Sequence, residues 1–324
     1  MAVPERAAAN SEYAGPSMDE TPVRCPVCDD ALSAPLIEGR DRMHGLPGAF
    51  SVARCQACGL GVTLPVVAAA ELMSLYPTTY ATYGTLPKGV LGLLTRTVDR
   101  VLCRQALRSA PLNRLASMPA GRLLDIGCGR GDLGAWFMRR GWSVVGVDPS
   151  PQACAVAGRR GVDARLGTLD TIELEPHAYD AVVFRHSLEH VPDPVADLRR
   201  ARGALRDGGV AIVSLPNFGC WQRRRFGEYW FPLDLPRHRV HFDADSLRTT
   251  LALAGFGGVE TCASSTPSVL PASIQYAIAR RCLFQDGWKL RAAYAACELV
   301  SPLTRVVDRL AGGGDVLNAT AYAG

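Results

Sequence analysis

The chain has 324 residues, of which 48% are hydrophobic and 20% are charged, and its formal net charge is +4. This composition is that of an ordinary globular protein and excludes a disordered or collagen-like chain. The slight charge provides no basic face of the kind a dedicated nucleic-acid binder needs, so it argues against a nucleic-acid partner. The sequence has neither a secretory signal nor an apolar run long enough to span a membrane, which predicts a cytoplasmic protein.

The composition changes along the chain and predicts five segments. The first is rich in Ala, Pro, Ser and Glu without a period, and the second has two cysteine pairs and many turn formers. The third favours helix with proline interruptions, the fourth alternates apolar runs with helical segments, and the fifth mixes helices with a final apolar run. In order, these segments are a disordered tail (1–20), a zinc-binding module (21–62), a helical bridge or lid (63–118), a cofactor-binding α/β domain (119–262), and C-terminal helices with a final edge strand (263–324).

The cysteines indicate a metal site and no disulfide framework, because their number, 11, is odd and only four of them stand in CxxC pairs. The pairs Cys25/Cys28 and Cys55/Cys58 have a separation close to that of zinc ribbons. Four thiolates leave no open coordination position, so we expect a structural Zn²⁺. The alternative is a redox role, but neither pair begins a helix in a thioredoxin-like context.

Short apolar runs predict a doubly wound sheet in the second half of the chain. They lack strict alternation, as expected for strands that are buried on both faces of a parallel sheet. A helix is predicted over 244–254, further helices over about 270–310, and an edge strand over 316–322. The four predicted parallel strands are 122–126, 143–147, 180–184 and 210–214.

Residues 123–134 form the strongest signal, a strand end followed by alternating glycines and a helix. Gly127, Gly129 and Gly131 follow a GxGxG spacing, and Asp125 precedes them. Glycines allow a tight turn and a close approach of the backbone to a ligand. The acid would repel a pyrophosphate and suits a cationic group such as an amine. A second acid, Asp148, ends the next predicted strand, where a ribose would lie.

These residues resemble the signature of class I S-adenosylmethionine-dependent methyltransferases. The resemblance implies a Rossmann-like, mostly parallel seven-stranded sheet and S-adenosylmethionine as cofactor. It also implies that Asp148 binds the ribose hydroxyls and that Thr168, Leu169 or Asp170 lies near the adenine. The alternatives are a nucleotide fold of other use or an inactive relative. The candidate cofactor-binding residues in this domain are Asp125, Gly127, Cys128, Gly129, Gly131, Asp148, Pro149, Thr168, Leu169 and Arg185, of which Cys128 is more easily explained as packing.

The run LEHVPDP, residues 188–194, is similar to that of methyltransferases of the ubiquinone-biosynthesis type, and the resemblance extends over about 119–260. Methyl transfer is an in-line displacement that also requires removal of a proton when the nucleophile is protonated. His186 is our first candidate base because it directly follows a strand and imidazole suits base work at neutral pH. His186, Glu189 and His190 share a face at i, i+3, i+4 spacing and could instead hold a divalent metal.

Some ubiquinone-type methyltransferases bind a metal with acidic residues and a histidine in this run, and here His186 stands in place of the first acid. The plainer alternative is that Glu189 and His190 only brace the loop. His238 and His241 follow an Arg- and Trp-rich segment, 221–231, and could line an acceptor pocket with it. The candidate catalytic residues are therefore His186, Glu189, His190, His238 and His241. The alternative for this segment is a solvated basic loop with aromatic anchors.

A two-knuckle zinc module before such a domain also resembles sugar C-methyltransferases and their relatives. That resemblance places Tyr76, Tyr80 and Tyr83 near the cofactor, with ordinary packing as the alternative, and Tyr80 and Tyr83 are candidate cofactor contacts. The chain lacks the second C-terminal domain of the sugar enzymes, so the acceptor does not carry over. Residues 263–311 either pack over the acceptor pocket or contact a membrane surface.

The sequence therefore predicts an S-adenosylmethionine-dependent methyltransferase that acts on a small or carrier-linked acceptor, as in glycan or secondary-metabolite biosynthesis. Two alternatives stay open at this stage. One is an RNA base methyltransferase, and the other is a non-catalytic scaffold that senses S-adenosylmethionine and binds a partner through the zinc module. Neither the acceptor atom nor the oligomeric state follows from the sequence.

Overall fold

The computed structural model of the chain describes residues 23–67, 71, 75, 110–283, 297 and 301–324. The predicted tail, most of the predicted helical bridge and the three tyrosines Tyr76, Tyr80 and Tyr83 lie outside these residues. None of the described helices is both long and apolar enough to cross a membrane.

The described residues form two β-sheets, and their strands are numbered in chain order. The strands are β1 (Leu32–Gly39), β2 (Phe50–Cys55), β3 (Gly61–Leu64), β4 (Arg122–Ile126), β5 (Ser143–Asp148), β6 (Asp163–Leu166), β7 (Tyr179–Arg185), β8 (Leu205–Pro216), β9 (Val240–His241), β10 (Phe256–Ser264) and β11 (Val316–Ala323). The helices are α1 (Ala110–Ala116), α2 (Asp132–Met138), α3 (Pro151–Gly158), α4 (Pro194–Ala204), α5 (Trp221–Phe226), α6 (Ala244–Leu253), α7 (Val269–Ala279) and α8 (Ser301–Leu310).

The larger sheet has seven strands in the order β10-β11-β8-β7-β4-β5-β6. The run from β8 to β6 is parallel, whereas β11 pairs antiparallel with both β8 and β10. Leu123, Leu124, Val182 and Val183 are fully buried, as expected for central strands covered on both faces. This arrangement confirms the predicted doubly wound, mostly parallel seven-stranded sheet.

The last strand differs from the prediction of an edge strand over 316–322. Residues 316–323 form β11 as expected, but β11 lies inside the sheet and β10 forms the edge. The cause is a polar ladder across three strands, in which Asn318 accepts a hydrogen bond from Ser214 and donates one to Ser264. Because its polar side chain is satisfied by both neighbours, a segment that looks like an edge strand is stable in the interior.

The predicted helix over 244–254 is confirmed as α6, with the bounds Ala244–Leu253. The carboxylate of Asp243 accepts a hydrogen bond from the backbone of Ser246, whose hydroxyl accepts one from the backbone of Asp243. This capping box fixes the start of the helix. Gly255, at φ 88°, follows its end, since a left-handed residue terminates a helix most easily when it lacks Cβ.

The smaller sheet joins the α/β domain to the cysteine module, by which we mean the two cysteine pairs and the strands β1 to β3. Its strand order is β1-β2-β3-β9, and β9 comes from the chain segment between β8 and α6. Val62 in β3 pairs with Val240 in β9, and both side chains belong to the core that also contains the central strands. The module thus shares a core with the α/β domain. Its strand β3 continues to Leu64, beyond the predicted boundary of the module at residue 62.

Two described helices, α7 and α8, fall within the predicted C-terminal helical region. The backbone of Phe231 donates a hydrogen bond to the Ser273 hydroxyl of α7, and the two rings of Phe231 and Tyr276 are 5.4 Å apart. Asp308 of α8 accepts hydrogen bonds from the side chains of Trp221 and Gln222, both at 2.8 Å. The two helices therefore pack against the segment 221–233, and their contact with an acceptor or a membrane stays a prediction.

Candidate functional site

The glycine loop between β4 and α2 is built on left-handed backbone. Gly127, Gly129 and Gly131 have φ values of 73°, 53° and 71°, which residues with Cβ rarely adopt. A Cβ on Gly127 would lie 2.5 Å from Cβ of Ser187, so this glycine also permits a close approach of two loops. The hydroxyl of Ser187 donates to the carbonyl of Ile126 at 2.7 Å and closes that contact. Sequence reasoning missed Ser187, because no local pattern shows that its hydroxyl bonds the last residue of a distant strand.

Asp148 lies at the carboxyl end of β5 and faces the glycine loop. Its Oδ2 accepts a hydrogen bond from the backbone of Gly129 at 2.8 Å, and Oδ1 accepts one from the backbone of Ser150 at 2.9 Å. Each carboxylate oxygen has a second lone pair that can accept from a ligand hydroxyl. Burial raises the pKa of Asp148, against these two hydrogen bonds, which lower it. The structure thus brings together the loop and the acid that the sequence predicted to share one ligand.

Asp125, the acid before the glycines, is 2% exposed. Burial raises its pKa to about 7, with a smaller rise from Asp148 and a lowering effect from Arg185. Its Oδ2 makes no hydrogen bond within the described part of the chain. A buried carboxylate oxygen without a partner is costly, and a ligand cation or a bridging water would satisfy it.

The other predicted cofactor contacts occupy the same edge of the sheet or support it. Cys128 packs against β5, where a Cβ on Gly146 would lie 2.7 Å from its Sγ, which favours the packing role. Thr168 and Leu169 follow β6, whose next residue, Gly167, donates to the backbone carbonyl of Asp148 at 3.1 Å. Leu169 is buried, Thr168 and Pro149 are exposed, and the Thr168 hydroxyl donates to Asp170.

His186 directly follows β7 in a left-handed conformation, with φ 52°. Its backbone donates to the carbonyl of Ser214 at 2.8 Å, which holds the residue there. Its Nδ1 lies 3.3 Å from Oε1 of Glu189, and the imidazole remains 46% exposed. A non-glycine residue in this conformation costs on the order of 1 kcal/mol and is frequent at functional sites. The structure therefore joins the predicted base to a carboxylate that can orient it.

Glu189 is 1% exposed and lies on a short 3₁₀ turn with Leu188 and His190. Burial opposes its ionisation, but His186, His190 and His238 around it lower its pKa to about 2. The Nε2 atom of His238 is 4.0 Å from Oε1 of Glu189, and the rings of His190 and His238 meet edge to face at 4.7 Å. Three of the five predicted catalytic side chains, His186, His190 and His238, thus surround a fourth, the buried carboxylate of Glu189.

The fifth, His241, is held by the cysteine module. Its Nε2 is 2.9 Å from the hydroxyl of Thr63, and that hydroxyl donates its proton to the carbonyl of His238 at 2.6 Å. Because the hydroxyl proton is already used, His241 must be the donor in the first contact. Burial and the neighbouring His238 lower the pKa of His241 to about 3, so this side chain is neutral.

Arg237 is a second residue that sequence reasoning missed. It is fully buried and binds Asp234 through Nε and Nη2 and Asp41 through Nη1 and Nη2. The two carboxylates raise its pKa despite burial, which alone would lower it. The neighbouring residue, His238, donates through Nδ1 to the carbonyl of Pro232 at 2.8 Å. Arg237 therefore fixes the loop that presents His238.

The Arg- and Trp-rich segment differs from an open basic surface. Arg223 and Arg224 donate to the carbonyls of Phe218 and Gly219, directly before the segment, and Trp230 is 1% exposed. Trp221 bonds Asp308, as described above. These side chains anchor the segment, and its predicted role in lining an acceptor pocket stays a prediction.

The four cysteines of the module converge, as their spacing predicted. Their sulfur atoms all lie within 4.8 Å of one another, with Cys25 and Cys58 at 3.5 Å and Cys28 and Cys55 at 3.3 Å. Four thiolates around zinc at about 2.3 Å lie roughly 3.8 Å apart, so the arrangement fits a tetrahedral Zn²⁺. Burial raises the pKa of Cys25 to about 11, and it also opposes ionisation of Cys55. Hydrogen bonds from the Cys58 backbone and the Cys28 thiol nevertheless lower the pKa of Cys55 to about 7.

Comparison with known proteins agrees with this geometry. Residues 95–261, just over half of the chain, match a family model described as a methyltransferase domain. The ubiquinone biosynthesis O-methyltransferase of Xanthomonas campestris pv. campestris is 35% identical over 108 residues, which are 31% of this chain and 45% of the relative. Its counterpart from a Bradyrhizobium strain is 40% identical over 123 residues, 36% of this chain and 47% of the relative. The chain spans about half the length of the curated relatives it matches.

A solved structure shares the fold. Phosphoethanolamine N-methyltransferase 2 of Haemonchus contortus, in complex with S-adenosyl-L-methionine, superposes with a TM-score of 0.50 at 19% identity. The superposition covers 81% of this chain and 61% of the other. At that identity the likeness concerns the fold alone.

Proposed function

We propose that this chain, which belongs to the methyltransferase domain family, is an S-adenosylmethionine-dependent methyltransferase that acts on a small or carrier-linked acceptor. The observation that carries the proposal is the pairing of Asp148 with Gly129, at 2.8 Å from carboxylate oxygen to backbone nitrogen. This pairing supports a single ligand that contacts both the acid and the glycine turn, at the sheet edge where α/β folds bind nucleotides. The family match supports the same cofactor.

The donor site has a role for each of its two acids. Asp148 would accept hydrogen bonds from the ribose hydroxyls through its remaining lone pairs. Asp125 would face the amino-acid end of S-adenosylmethionine, where the ammonium group or a bridging water satisfies its unpartnered Oδ2. Gly127, Gly129 and Gly131 let the backbone of the loop lie against the cofactor. His186 directly follows β7, which pairs with β4, so it would lie next to the donor site.

The acceptor side has a candidate base with an orienting carboxylate. Glu189 lies near Nδ1 of His186, so the imidazole Nε2 can take a proton from an acceptor hydroxyl or amine. In the transfer, the acceptor atom forms a bond to the methyl carbon and the carbon–sulfur bond breaks. The electron pair of the carbon–sulfur bond stays on sulfur to give S-adenosylhomocysteine, and the acceptor proton passes to His186.

The acceptor class is supported by the relatives and by the charge of the chain. The matched curated relatives are O-methyltransferases of ubiquinone biosynthesis. A net charge of +4 over 324 residues gives little attraction for an RNA backbone. We therefore favour methyl transfer to a small or carrier-linked acceptor over methyl transfer to an RNA base and over a scaffold without catalytic activity.

We also propose that the four cysteines bind one structural Zn²⁺. The mutual distances of their sulfur atoms support it, and four thiolate ligands leave no position for a substrate. Its contribution to the site is indirect: the module supplies Thr63, which bonds His241 and the backbone of His238.

A labelling experiment separates these functions. The protein is incubated with methyl-labelled S-adenosylmethionine and either the small-molecule extract or the total RNA of the organism that encodes it. We expect label to enter the small-molecule fraction, and His186→Ala to reduce its rate by about a hundredfold or more while S-adenosylmethionine still binds. Label in RNA would establish the RNA alternative, and cofactor binding without any transfer would favour the scaffold.

A further inference from the structure

We propose that Glu189, His190 and His238 bind a single divalent metal ion beside the methyl-donor site. The set differs from the one that sequence spacing suggested, because His238 replaces His186 as the third ligand. His238 comes from a loop 48 residues further along the chain than His190, so no local pattern could reveal it. This inference does not depend on the nature of the acceptor.

The three side chains meet closely enough to share an ion. One ligand atom from each of them lies within 4.8 Å of the others, as in the four-cysteine group. Glu189 and His238 are buried, and His190 is partly buried. Ligand atoms about 2.0–2.2 Å from a common metal lie roughly 3–4 Å apart, so small side-chain adjustments complete the coordination.

The two histidines are oriented in the way that metal ligands usually are. Nδ1 of His190 lies 3.0 Å from the carbonyl of Arg237, and Nδ1 of His238 lies 2.8 Å from the carbonyl of Pro232. A carbonyl only accepts, so each Nδ1 carries the proton and each Nε2 carries the lone pair. A backbone carbonyl that binds the far nitrogen is the usual outer support of a metal-bound imidazole.

Glu189 provides the second, independent observation. Neither of its carboxylate oxygens makes a hydrogen bond of good geometry within the described residues, although the side chain is 1% exposed. A buried carboxylate in that condition is expensive unless a cation compensates it. His186 contributes one contact at 3.3 Å to Oε1, and the carboxylate keeps further lone pairs for a metal.

The loop that carries His238 is rigidly supported. Arg237, directly before it, is buried between Asp41 and Asp234, so a ligand here needs little ordering when the ion binds. Asp234 lies 3.9 Å from Nε2 of His238, but its oxygens already accept from Arg237. His186, in contrast, is 46% exposed and outside the converging set.

Two imidazoles and one carboxylate suit Mn²⁺, Fe²⁺, Co²⁺ or Zn²⁺ and leave coordination positions open. When bound, such an ion would lower the pKa of an acceptor hydroxyl next to the donor methyl group. The residues of this chain would hold the ion and keep His186 available for the proton.

The test is Mn²⁺ binding by protein that metal analysis shows to carry a single Zn²⁺ per chain, for the cysteine site, measured by loss of the free Mn²⁺ signal in electron paramagnetic resonance. Neither S-adenosylmethionine nor an acceptor is present, so the result is independent of methyl transfer. We expect wild type to bind one Mn²⁺ per chain, and His238→Ala and His190→Ala each to weaken binding at least tenfold. His186→Ala is the matched control and should bind Mn²⁺ like wild type.

Circular dichroism and calorimetric titration with S-adenosylmethionine on the same samples show whether each variant is folded. If His238→Ala is misfolded, His190→Ala and Glu189→Gln decide the question. The proposal is wrong if wild type that carries one Zn²⁺ per chain binds no Mn²⁺. It is also wrong if folded His238→Ala binds as wild type does, or if His186→Ala is the variant that loses the ion.

Discussion

The guanidinium of Arg237 binds the carboxylate of Asp41, with Nη2 2.6 Å from Oδ1 and both side chains fully buried. The two residues are 196 positions apart, and they belong to the loop before β9 and to the cysteine module. Asp41 also accepts hydrogen bonds from the backbone of three residues in its own turn: Met43, His44 and Leu46. The module therefore supports the histidine cluster and is more than an appendage.

Removal of this carboxylate should be strongly destabilising. Asp41→Ala leaves Arg237 buried with Asp234 as its remaining carboxylate partner and removes the carboxylate to which three turn amides donate. We expect a loss of about 3–5 kcal/mol in the free energy of unfolding, measured by urea denaturation of zinc-loaded protein. Asp245→Ala is the control, because Asp245 is 92% exposed and pairs with Arg248 on the surface, and it should change stability by less than about 1 kcal/mol. Equal losses in the two variants would contradict this role.

Gly127 should be irreplaceable even by alanine. Gly127→Ala would place Cβ 2.5 Å from Ser187 in a left-handed residue, so we expect weaker S-adenosylmethionine binding by calorimetry, at least tenfold, together with lower thermal stability. Gly203→Ala, in α4, is the control, because nothing lies within 4 Å of its Cβ and alanine favours helix. It should bind the cofactor normally and melt at the same or a higher temperature. Normal binding by Gly127→Ala would show that the loop does not hold the cofactor as we propose.

The sequence predicted those parts of the fold that depend on neighbouring residues. The glycine turn, Asp148 and the four cysteines are specified by local spacing, and the structure brings them together as expected. The interior position of β11 depends on contacts with residues 54 and 104 positions away, namely those of Asn318 with Ser264 and Ser214. Single-sequence reasoning detects local periodicity and not such pairings, so it placed β11 at the edge.

In the histidine cluster, too, the sequence predicted the residues that are close in the chain and missed the distant contact. His186, Glu189 and His190 lie within five residues and were found together, whereas the approach of His238 depends on a loop fixed by Asp41. Arg237 was overlooked because a buried arginine looks like a surface one in sequence. Residues 76–83, whose tyrosines were expected near the cofactor, lie outside the described part, so that expectation stays a prediction.

Zinc content should depend on the four converging thiols alone. Cys28→Ser removes one of four ligands, and we expect metal analysis to fall from one Zn²⁺ per chain to a small fraction of that, with loss of thermal stability. Cys262→Ser is the matched control, since Cys262 is an exposed cysteine on β10, far from the group in sequence. It should retain one Zn²⁺ per chain. Full zinc content in Cys28→Ser would exclude the four-thiolate site.

Asp315 should make stability depend on pH. It is buried beside β11 and accepts a hydrogen bond from the backbone of Thr266, and burial raises its pKa to about 7. A raised pKa means that the folded state favours the protonated acid, so this contribution is present below about pH 4 and is lost as the pH rises through 7. Asp315→Asn should therefore unfold at higher urea concentration than wild type at pH 8, and the difference should vanish at pH 4. If the difference in urea stability between Asp315→Asn and wild type is the same at pH 4 and pH 8, the role of Asp315 is contradicted.

Calorimetric titration with S-adenosylmethionine tests the central claim most directly, comparing wild type with Asp148→Asn. The account predicts one molecule bound per wild-type chain and an affinity at least tenfold lower for the variant, about 1.4 kcal/mol, because one acceptor for a backbone or ribose donor is lost. Asp163→Asn, at an acid that pairs with Arg165 near the surface, should bind as wild type does. No heat of binding with wild type, or equal affinity in wild type and Asp148→Asn, would contradict the assignment of this edge of the sheet as the methyl-donor site.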